Sequence, residues 1–147
     1  MAGYKAVMLC KEGQTWAQWD ASGRAYGIAH LEFPPDAEIV VPNPKAEHQD
    51  TVFIGKRRAA RATITKLVDL EGNEVDGDVF GRSDFAWTFL YKKGGQVGLL
   101  ETETESYEKM KDFRDLEKTC TPGIHFFDTE EGAKNMALFW KNIHQNA

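Results

Sequence analysis

Apolar and polar positions fall in short alternating runs along most of this chain and change to helical spacing only near its C-terminus. Residues 4 to 10, Tyr-Lys-Ala-Val-Met-Leu-Cys, read as a strand, and a Lys11-Glu-Gly-Gln turn leads to an aromatic segment around Trp16 and Trp19. The Ala21-Ser-Gly-Arg turn then opens a further strand, Ala25-Tyr-Gly-Ile-Ala-His-Leu-Glu-Phe, so the chain begins as a β-meander. Pro34-Pro35 interrupts it, Glu38-Ile-Val-Val makes one more short strand, and residues 42–50 are a polar loop without periodicity. Thr51-Val-Phe-Ile and the stretch from Arg61 to Leu70 are rich in β-branched residues, and the Gly72-Asn73 pair marks a hairpin or short loop. Phe85, Trp87, Phe89 and Tyr91 alternate with Ala86, Thr88 and Leu90, which puts four aromatic rings on one face of a strand. Lys92-Lys-Gly-Gly then turns the chain into Gln96-Val-Gly-Leu-Leu, expected as its antiparallel partner.

Near the C-terminus the period changes. Cys120-Thr-Pro-Gly punctuates, Ile124 to Phe127 is a compact buried strand, and Asp128 stands three residues before Glu131 as in a capping box. Ala133, Met136, Ala137, Trp140 and Ile143 follow at the spacing of one helical face, a stripe that must lie on something apolar. Lys109 to Lys118 carries Met110, Phe113 and Leu116 at a spacing that suits a second, short helix. The expectation is an α+β fold over residues 1–147 as one domain: a bent antiparallel sheet with the C-terminal amphipathic helix packed on its aromatic face.

Composition narrows the function more than the fold. A chain of 147 residues buries roughly two-thirds of its unfolded surface, enough for one core without staples. Hydrophobic residues make up 41%, but no apolar run approaches the roughly 20 residues that span a bilayer, and no secretory h-region follows the N-terminus. A cytoplasmic protein with no membrane segment is expected. The net charge of −5 argues against general binding to nucleic-acid backbone, which depends on Lys and Arg, yet leaves room for a local patch holding one anion. Cys10 and Cys120 follow no paired metal spacing, and a disulfide between them stays open beside reduced, buried thiols.

Candidate chemistry is sparse. Lys56, Arg57, Arg58 and Arg61 form the dense basic cluster, and guanidiniums bind phosphate or carboxylate in a bidentate manner. The same cluster also reads as a solvated loop that offsets the acidic 101–108 segment. Alternation sends His125 to the opposite face from Ile124 and Phe126 and the same face as Phe127. There it is either a donor or base in a pocket, or a histidine bonded to backbone or to the Cys120 turn. Cys120 beside His125 invites a nucleophile or metal reading, but no third residue is spaced to orient the imidazole, and Cys10, Cys120, His125 and His144 show no zinc motif. Tyr91 and its stripe either stack a ring or form core.

Cys120-x-x-Gly-Ile-His-Phe-Phe followed by Thr129-Glu-Glu-Gly-Ala resembles the signature of an uncharacterised domain seen beside pentapeptide repeats and in proteins of phages and large DNA viruses. Lys56-Arg-Arg-Ala-Ala-Arg-Ala-Thr-Ile and Ser83 to Val97 are similar to its basic-then-strand segment and its aromatic hairpin, so the resemblance spans about residues 52–140. The pentapeptide array itself is missing, and the resemblance brings no activity with it. Gly123-Ile-His-Phe is also similar to the Gly-Ile-Tyr-Phe segment of the ADP-ribosyltransferase and PARP superfamily. Against that likeness, Glu101, Glu103 and Glu105 precede the segment where the transferase order puts a glutamate after it. The expected function is therefore a non-enzymatic recognition domain without cofactor or metal, binding a protein partner or a small anionic ligand through Lys56, Arg57, Arg58, Tyr91 and His125. The alternative is a nucleotide-using enzyme of degenerate ADP-ribosyltransferase type.

Overall fold

The computed structural model describes residues 2–11, 13, 25–37, 39, 57–75, 78–82, 90–98 and 124–145. They form strands β1 (Ala2–Lys11), β2 (Ala25–Glu32), β3 (Arg57–Ala59), β4 (Arg61–Asp69), β5 (Val79–Arg82), β6 (Leu90–Tyr91), β7 (Gln96–Gly98) and β8 (Ile124–Phe126), then helix α1 (Glu130–Gln145). Six strands make one sheet in the order β6-β5-β1-β2-β4-β7, and β3 with β8 makes a two-stranded ribbon. Every registered pairing is antiparallel, so the α+β expectation holds.

Connectivity forces this sheet to curl. β6 and β7 lie at opposite ends of the strand order, about 24 Å apart if the sheet were flat at its usual strand spacing. They are nevertheless joined by a tight reversal at Lys92–Gly95, where Gly95 N donates to Lys92 O at 2.8 Å and Gly94 takes a φ of 80°. The two ends therefore come side by side, and the sheet bends round an interior. β7 registers with β4 and also adjoins β6, the described end of the aromatic strand expected as its partner.

The curl gives every central strand two buried faces, which is why β1 reads as a nearly unbroken apolar run. Val7 and Leu9 of β1, Ala29 and Leu31 of β2, and Ile64 and Leu67 of β4 fill the interior together with Tyr91 and Val97. The alternate residues Met8, Cys10, Tyr26, Ile28 and Val68 face outward toward α1. β4 keeps both phases by a bulge: His30 pairs with Lys66 but Leu31 pairs with Ile64, so Thr65 is the extra residue and donates its hydroxyl to His30 O at 3.2 Å.

Helix α1 buries Ala133, Met136 and Ala137 on β1 and β2, with Phe139 and Trp140 flanking them. The small alanines let the helix backbone approach the sheet closely. Its support is thus β1 and β2, while Tyr91, the described member of the expected aromatic face, belongs to the interior cluster on the other side. The cap differs from expectation. Thr129 Oγ1 accepts from Gly132 N at 3.1 Å, one residue later than the expected Asp128–Glu131 box, and Asp128 is drawn instead to Arg57. The hairpin at Gly72-Asn73 is present: Asp69 Oδ1 accepts from Glu71 N and Asn73 N, both at 2.9 Å. The expected elements at Trp16–Trp19, Thr51–Ile54, Phe85–Phe89 and Lys109–Lys118 lie outside the described residues, as does the Cys120 turn.

Candidate functional site

The ribbon is built where β8 leaves off and α1 begins. Arg57, Arg58 and Ala59 stand opposite Phe126, His125 and Ile124, and beyond Phe126 the chain joins the main sheet by reciprocal 2.8 Å bonds between Tyr4 and Phe127. Ala59, Ile124 and Phe126 face the interior cluster, where Phe126 meets Phe33 with ring centroids 4.5 Å apart. Successive strand residues point to opposite faces, so Arg57 and Arg58 diverge. Of the basic cluster, Arg57 and Arg58 thus do not share a face. Arg58 shares a face with His125, its cross-strand partner, and is buried; Arg57 lies on the other face, where its Nη2 approaches Asp128 Oδ2 at 3.3 Å. The Arg57 and Asp128 side chains are 31% and 53% exposed, yet the Arg57 Nε atom is buried without a hydrogen-bond partner.

Tyr91 is reached from this ribbon only through the interior. Its ring is fully buried, its hydroxyl has no hydrogen-bond partner, and burial pushes the phenol far above its ordinary pKa. Lys5 forms the link: its ammonium donates to His125 O at 2.9 Å and lies 5.7 Å from the centroid of the Tyr91 ring. The bond seen at His125 is made by its main-chain carbonyl, which accepts from Lys5, and not by the imidazole for which the sequence offered a backbone or Cys120-turn partner. Lys5 was not singled out from the sequence. The available signal was its place in the inward phase of β1, a cation between Gly3 and Val7.

Two further features sit on the sheet. An open cleft of about 640 Å³ lies between Glu32–Pro35 at the end of β2 and Arg61–Thr63 and Gln96–Gly98 on β4 and β7. On the face under α1, His30 stands edge-on to Tyr4 with centroids 5.0 Å apart, and its Nε2 lies 3.1 Å from Glu130 Oε2. That approach is not aligned as a hydrogen bond, since Nε2 is buried and unpartnered. Burial lowers the His30 pKa, Glu130 opposes the shift, and Lys66 adds to it.

Cys10 is a free, buried thiol whose pKa burial raises, against a smaller opposing effect of Arg82. Lys56, Cys120, Glu101, Glu103 and Glu105 lie outside the described residues, as does the side chain of His144. Among the described residues, no group of three or more His, Cys, Asp or Glu side chains is arranged to hold a metal ion, and no helix is long and apolar enough to cross a membrane.

Neither a curated protein nor a solved structure matches the chain. A family model does match, over residues 1–133, and it takes in β1 and β2 as well as the segments from about residue 52 on which the resemblance was read. The chain thus belongs to that family, a family of unknown function (DUF5758).

Proposed function

We propose that this chain is a cytoplasmic, non-enzymatic recognition domain that holds an anionic group at Arg57, carried either by a partner protein or by a small ligand. One observation carries the reading: Arg57 has a buried, unpaired Nε while an exposed carboxylate of the chain itself, Asp128, rests 3.3 Å from Nη2. A guanidinium offers its donors as a planar fork, and an incoming carboxylate or phosphate that took Nε and Nη2 together would exchange one contact for two. Exposed ion pairs contribute at most about 1 kcal/mol, so Asp128 is a partner that a ligand can displace. Arg58 and His125 are cross-strand partners on the opposite face. The resemblance to phage and large-virus domains extends the reading to a protein that occupies a partner in its host.

Calorimetric titration with inorganic phosphate tests this. Arg57→Ala weakens phosphate binding by about tenfold, the worth of a hydrogen bond to a charged group. Asp128→Asn tightens it by up to about fivefold, because a competing carboxylate is gone. Equal affinity in parent and Arg57→Ala removes Arg57 from the site. Arg58 is a poor probe, since its buried side chain supports the fold.

A further inference from the structure

The 640 Å³ cleft is independent of Arg57 and is within the size range of small-molecule sites. Its construction follows from register. Glu32 of β2 stands opposite Thr63 of β4, and Thr63 stands opposite Gln96 of β7, so three polar side chains form a row across three strands. Arg61 lies two residues from Thr63 and therefore on the same face. It is exposed and makes no ion pair among the described residues. Against this polar row stand Pro34 and Pro35, while Phe33 and Val97 lie beneath the cleft with their side chains in the interior cluster.

We infer that this cleft binds a small, largely apolar carboxylate: the acid on the Arg61 guanidinium, its tail against Pro34 and Pro35, with Thr63 and Gln96 supplying hydrogen bonds. The lining carries one cation, Arg61, and one carboxylate, Glu32, on the same face, so its formal charge is balanced. That balance suits a monoanion and repels a polyanion such as inorganic phosphate in its doubly charged form, since Glu32 charges against it. An Arg–carboxylate pair at the rim of an apolar wall supplies orientation, and the wall supplies the burial.

Phenylacetate is a fitting probe, with phenylacetamide as its neutral counterpart. In ¹⁵N-labelled protein, phenylacetate shifts the amides of Thr63, Gln96 and Val97, and phenylacetamide binds about tenfold more weakly for want of the charge-assisted bonds. Arg61→Ala abolishes the preference of acid over amide and Arg61→Lys restores it in part, while Arg57→Ala leaves it unchanged, so this site and the one at Arg57 stand or fall separately. Glu32→Gln lets inorganic phosphate enter the cleft. The inference is overturned if acid and amide bind alike in the parent protein, if Arg61→Ala keeps the preference, or if the shifted amides lie elsewhere.

Discussion

Buried polar atoms are where single residues of this chain depart from packing economy. The Tyr91 hydroxyl has no partner in a fully buried position, and an unsatisfied group of that kind costs about 1–3 kcal/mol. Tyr91→Phe keeps the ring beneath Lys5 and removes the orphan, so the urea midpoint rises by an amount worth about 1 kcal/mol; a lower midpoint would mean that the hydroxyl is bonded in solution. His30 gives a dependence on pH. Its folded pKa is lowered from 6.5, chiefly by burial, so the unfolded chain binds the proton more readily. The stability this contributes is complete above pH 6.5 and drains away as pH falls toward the lower, folded value. Glu130 limits the loss and Lys66 deepens it. Urea midpoints at pH 7.5 and pH 5 should therefore differ more for the parent than for His30→Gln, and equal differences contradict it.

Among the elements, α1 and the β3–β8 ribbon join at residues 127–130, and the cap decides how cleanly. Thr129→Ala removes the acceptor of Gly132 N and costs about 1 kcal/mol in thermal or urea unfolding, whereas Glu131→Ala, at the other end of the expected capping box, costs little. Much of this level was legible in the sequence. The alternation around β1, β2, β4 and β8, the Gly72-Asn73 turn and the helical stripe are local signals, and local physics is enough for them. Pairing is different. β7 registers with β4, an earlier and non-adjacent segment of the chain, and α1 rests on β1 and β2 because their outward phase is apolar too; both depend on contacts between distant segments, which no window of sequence contains. The cap moved by one residue because Asp128 finds a cation across the ribbon, a contact 71 residues away in the chain (128 − 57).

For the whole molecule, the curled sheet decides which of the described side chains turn inward. It draws Tyr91 inward, while the β3–β8 ribbon divides Arg57 from Arg58 by strand alternation and sets His125 beside a buried arginine. The basic cluster was visible as composition, but its division between two faces needed the register of β3 against β8. Among the described residues, the group proposed for recognition is Arg57, with a buried, unpaired Nε and an ion pair to Asp128. Its side-chain Nε–H resonance reports on that donor directly in a ¹⁵N–¹H spectrum. On titration with inorganic phosphate the account requires the Arg57 Nε–H signal to shift and to exchange with water more slowly as the bidentate contact forms; a signal that stays in place while phosphate binds elsewhere on the protein contradicts it.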